Sequence, residues 1–130
     1  MKTYSTCDIS VCILGAVYTL HIWPETADPR FEELNCSGFC DQTTRELFVS
    51  NLVSSNKKPT VADVRYTIRH AIKHEMVHAF MFESGLGEDW VHAECGQEET
   101  TVDWIARQLE KIHDTYETVI EQIKKYEIET

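Results

Sequence analysis

The sequence predicts an α+β domain, with a small antiparallel or mixed β-sheet in the N-terminal half packed on a long helix, and a second long helix after it. Three observations carry this. Residues 9–23 and 38–52 are rich in β-branched and aromatic types broken by turn residues. Residues 61–83 are dense in helix formers and apolar groups and are followed by Gly85 and Gly87. Val102, Ile105, Ala106, Leu109, Ile112, Val119 and Ile123 recur at helical spacing.

Taken in order, residues 1–8 are polar and read as a loose lead-in. Residues 9–23 read as one long strand or two short ones joined at Gly15, with Tyr18, Leu20 and Ile22 alternating against Val17, Thr19 and His21. Pro24 to Pro29 breaks this run, and residues 30–37 form a loop or a single helical turn. Gly38–Asp41 and Glu46–Leu52, separated by Asp41-Gln42-Thr43-Thr44, read as a β-hairpin, with Glu46–Leu52 as an exposed edge. Thr60 is a fair N-cap for a helix over about Val61–Glu83, on which Arg65, Arg69 and Lys73 form a solvated stripe at i+4 steps. After His74 apolar groups surround this helix almost completely, so it reads as buried. The second helix starts near Ala93, and its end, residues 121–130, is charged and reads as frayed.

The 130 residues make one domain, 1–130, with 42% hydrophobic and 26% charged residues, as in a soluble globular protein. A formal net charge of −10 argues against nucleic acid as a partner, since phosphate binding needs a basic patch. The apolar run Val11–Leu20 is too short to span a bilayer, and no apolar leader is visible, so no membrane partner is expected. Five scattered cysteines without a second metal-type pair read as reduced thiols, which points to the cytoplasm.

The chemistry is concentrated in His74-Glu75-Met76-Val77-His78. On a helix, His74 and His78 share a face one turn apart and can bind one metal ion. Glu75 is rotated by one helical step and can reach water at that metal. Zinc in a catalytic site takes three protein ligands, and this motif supplies two. No histidine follows within ten residues of His78, which leaves a downstream carboxylate. Glu99 has Asp103 four residues on, so one carboxylate can ligate while the other holds a ligand histidine's free nitrogen; Glu98 has Val102 in that place. His70, one turn before His74, is a neighbour of the site, because three histidines at i+4 steps drift too far around the helix for one metal.

Together, His74-Glu-x-x-His78 and Glu99-x-x-x-Asp103 resemble the gluzincin group of zinc metallopeptidases, and more narrowly the small single-domain zincin-like proteins of bacteriophage and Gram-positive mobile elements. The matching runs are Ile13-Leu-Gly, Gly38-Phe-Cys-Asp, Arg69-His-Ala-Ile-Lys-His-Glu-Met-Val-His-Ala-Phe-Met-Phe-Glu-Ser-Gly-Leu86 and Asp103-Trp-Ile-Ala, within residues 9–113. Thr100 and Thr101 depart from the acidic or Met-bearing run common in such relatives. The resemblance implies a minimal zincin-like fold, one zinc per chain at His74, His78 and Glu99, and Glu75 as the catalytic carboxylate.

The activity expected from this is metal-assisted hydrolysis of a peptide or protein substrate bound in extended conformation, by a monomer, with Glu75 as general base. His92 is the first candidate to stabilise the oxyanion, ahead of Tyr116 and His113. Two other readings predict different behaviour. An inactive zinc-binding module acting in protein–protein interaction would hold zinc without turnover. A helical interaction protein with an accidental motif would be indifferent to chelator.

Overall fold

The structure, a computed structural model, describes residues 1–54, 61–85 and 99–130, and only the backbone at residues 99, 100, 102, 103 and 106. The fold is α+β. In chain order the elements are β1 (Lys2–Tyr4), β2 (Cys7–Ile13), β3 (Ala16–Trp23), α1 (Arg30–Glu33), β4 (Gly38–Asp41), β5 (Glu46–Ser50), α2 (Arg65–Glu83), α3 (Glu99–Ile123) and β6 (Glu127–Glu129).

The main sheet has the order β2-β3-β5-β4. β2 and β3 form an antiparallel hairpin whose two turn residues, Leu14 and Gly15, both have positive φ, as a tight two-residue turn requires. β3 then pairs parallel with β5, Leu20 opposite Leu47, and β4 closes the sheet antiparallel to β5. The parallel pairing is possible because the chain between β3 and β5 runs through α1 and β4 before returning. The hairpin 38–52 forms as its turn residues predict, but the expected edge strand is a central one. Leu47 and Val49 face the helices while Phe48 stacks on Phe39 across the other face. A run buried on both sides belongs inside a sheet. Among the described residues the edge strand beside the motif helix is therefore β4.

One sheet face buries Ile9, Val11, Tyr18, Leu20 and Ile22 against Ile68, Ile72, Met76, Ala79 and Phe80 of α2 and Val119 and Ile123 of α3. Cutting one of the large α2 side chains back to alanine costs about 2–5 kcal/mol, so α2 is held in one rotation. The other face carries Phe31, Phe39 and Phe48, with the Arg30 guanidinium over both Phe39 and Phe48. His21 is also buried there. Its Nδ1 lies 2.6 Å from Asp8 Oδ1 and its Nε2 2.5 Å from Glu46 Oε2.

Two expectations about the ends need correction. Residues 1–8 are not a loose lead-in, and 121–130 do not fray. β1 pairs antiparallel with β6, Thr3 and Tyr4 are buried, and Thr3 Oγ1 donates to Asn51 O. The helix α3 stops at Ile123, and the chain turns into β6. α2 starts at Arg65 rather than near Val61, because residues 62–64 hydrogen-bond to Lys2 and the Asp63 carboxylate accepts from the Arg65 N–H. The expected solvated stripe is a half-buried seam at Arg65 and Arg69, and is exposed at Lys73. Arg65 pairs with Asp63 and Glu127, the charge of Arg69 acts on Tyr4 and Tyr116, and the Lys73 ammonium sits 5.3 Å from the Tyr116 ring centre. Among the described residues no helix is long and apolar enough to cross a membrane.

Candidate metal centre

His74, Glu75 and His78 lie in the middle of α2 and are brought together as their spacing predicts. One ligand atom from each falls within 4.8 Å of the others, which makes them the candidate metal group among the described residues. The two Nε2 atoms are 3.2 Å apart. Two nitrogens on one tetrahedral zinc, with Zn–N near 2.0–2.1 Å, stand about 3.3–3.4 Å apart. The histidine pair is thus set close to the separation that a shared ion needs, and imidazole nitrogens suit zinc among other divalent metals. The arrangement follows from the packing of α2. Ile72, Met76, Ala79 and Phe80 turn into the core, which leaves His74 and His78 exposed and rotates Glu75 beneath β4. The helix is therefore not surrounded by packing on every side, as its apolar content suggests; Val77, Met81 and Phe82 are half-buried.

Glu75 is 5% exposed, and burial pushes its carboxyl up to about 7. Burial and the neighbouring charge of His74 lower His78, which favours the neutral imidazole a metal requires. Two cavities meet at this point. One, of about 240 Å³, runs toward the start of α2 past Thr67, His70 and Ala71, with Ser37 and Ser50 opposite. The other, of about 360 Å³, runs past His78 and Phe82 and is lined by Leu34, Cys36, Phe39 and Cys40. Gly38, His74 and Glu75 belong to both. The Cys40 thiol is pushed up to about 12 by burial, with the charge of Glu75 adding to it, so it stands there as a neutral thiol and not a nucleophile.

His70 is exposed and lines the first cavity without joining the metal group, as expected of a neighbour. Glu99 and Asp103 lie on the first turns of α3, their side chains outside the described residues; His92 and Glu98 also lie outside them. The anchoring of α3 is visible. Trp104 Nε1 donates to Ser84 Oγ at the end of α2, and Lys73 meets Tyr116 further along, so the helices run antiparallel. Tyr116 is engaged at the Lys73 seam, and His113 is exposed.

Sequence reasoning overlooked Gly38 and the position of β4. The signal was present, because a glycine inside a strand pattern marks a close approach. The ends of α2 are fixed by polar contacts as well as by packing. At its last turn Glu83 accepts from Tyr18 Oη at 2.7 Å and from Arg45 Nε at 3.1 Å. Gly85, with φ 84°, then follows the helix end as its glycine predicts. Compared with known proteins, the chain matches no family model, no curated protein and no solved structure.

Proposed function

We propose that the chain is a zinc-dependent peptidase. The observation that carries this reading is the pair of exposed Nε2 atoms 3.2 Å apart beside a buried carboxylate, beneath the strand that borders the sheet among the described residues. His74 and His78 would hold the ion, with Glu99 as the proposed third protein ligand and Asp103 behind it. When bound, the metal supplies Lewis acidity that activates water and polarises a carbonyl.

The remaining work falls to the chain. An extended peptide adds to the outer edge of β4 through main-chain hydrogen bonds, which brings its backbone over Glu75. Glu75 takes a proton from water and delivers it to the leaving amine. A carboxyl balanced near neutral pH is suited to both transfers. A metal site that serves only structure has no use for a carboxylate buried at this cost, and this favours the enzyme over the inactive module.

The test compares wild type with Glu75→Gln, measuring zinc content and cleavage of an unfolded protein substrate on the same preparations. One zinc per chain in both, with cleavage by wild type alone, supports the proposal. Zinc in both with cleavage in neither favours the binding module. No zinc in either after reconstitution removes both readings.

A further inference from the structure

Gly38 opens β4, and its backbone does not need a glycine for conformation, since its φ lies outside the positive range that side chains avoid. What it lacks is room. A Cβ built there would stand 3.0 Å from Glu75 Oε2, 3.4 Å from Glu75 Cγ and 3.2 Å from Phe48 O. Phe48 is fixed in the central strand and stacks on Phe39, so the backbone oxygen does not give way. The free end of Glu75 does. Gly38 also lines both cavities, so a methyl group there would intrude on the space shared by their walls.

We infer that Gly38 is a positioning residue for Glu75: the missing side chain is the space in which the carboxylate is held against the two histidines. This rests on the peptidase reading for its functional half, while the contact itself can be tested without it. A displacement of a reacting group by about 1 Å costs up to about 100-fold in rate. Here the carboxylate must give by only a few tenths of an ångström, so Gly38→Ala should keep zinc, since neither histidine is touched, and lower kcat about 3- to 10-fold with a smaller change in KM.

The experiment has two arms. In the metal-free protein, urea unfolding is measured for wild type, Gly38→Ala, Glu75→Ala and the double variant. With the Glu75 side chain gone, the added methyl meets only Phe48 O. Gly38→Ala should then lower the folding equilibrium constant at least about fivefold less than it does in wild type. Equal effects in the two backgrounds overturn the inference, whatever the activity. In the second arm, zinc content and turnover are measured for wild type and Gly38→Ala. Retained zinc with lost kcat supports the positioning role. Unchanged kcat in an active wild type refutes it and leaves the peptidase reading standing. A zinc-loaded wild type that turns over nothing sinks the peptidase reading, and the functional half of this inference with it.

Discussion

Replacing Glu75 by glutamine should stabilise the metal-free protein, and only above a particular pH. The side chain is 5% exposed, and burial lifts its carboxyl from 4.5 to about 7. At about 1.4 kcal/mol per pH unit, this corresponds to a penalty of about 3 kcal/mol for the ionised form. Water in the two adjoining cavities screens part of it, and about 2 kcal/mol is the figure to test. The sign follows from linkage. Between 4.5 and about 7 the unfolded chain has already lost this proton while the folded one retains it. Stability is therefore lost as pH rises through that window and levels off above it. Glutamine fills the same volume and does not titrate. In urea unfolding with chelator present, Glu75→Gln should match wild type near about pH 4 and exceed it by about 2 kcal/mol near about pH 8, with an unchanged denaturant slope. A gain of equal size at both pH values, or a loss at the higher one, would refute the assignment of a desolvated carboxylate.

Three further outcomes can be checked. His78→Ala should weaken zinc binding at least about 100-fold in equilibrium dialysis, and Glu99→Gln should weaken it by about 10- to 100-fold; a silent Glu99→Gln would mean that the third protein donor lies elsewhere. Tyr18→Phe removes the hydroxyl that donates to Glu83 but leaves Arg45 in place, so it should cost about 1 kcal/mol in urea unfolding; a cost near zero would show that the Tyr18 hydroxyl does not help to hold this end of α2. His21→Asn removes the hydrogen bond that most lowers the Asp8 carboxyl. Asp8 contributes stability above 3.8 that fades as pH falls below it, so the variant should lose up to about 1 kcal/mol at neutral pH and converge on wild type in acid, as read by thermal unfolding.

The elements closest to the chemistry were the most legible. The helix formers around His74 and His78 and the glycine after the helix are local signals, and each produced the element it predicts; Gly15 marked a break in residues 9–23 but left one long strand and two short ones equally open, and the structure has two. What escaped was non-local. β1 and β6 are three residues each, pair across almost the whole chain, and carry no pattern that would mark a strand. Arg65 and Arg69 look solvated on a helical wheel until β6 and the tyrosines of β1 and α3 are brought against them. Leu47-Phe48-Val49 is the instructive case, because three consecutive apolar residues already describe a strand covered on both sides. Weighing that run above the hairpin would have put β5 inside the sheet and β4 at its border.

An open strand border also invites other chains, including copies of the same protein, to add to the sheet. Here that border is four residues long, beginning in a glycine and ending in an aspartate held by Arg30. Its span is about 13 Å. Such a length offers a guest only a few main-chain bonds, too few to seed a growing stack of strands. The same brevity bears on turnover. On the proposed peptidase reading, a segment gripped over so short a stretch would be released quickly, and a substrate would have to present its scissile bond in a flexible loop or tail, since a longer pre-formed strand would gain nothing from the extra residues.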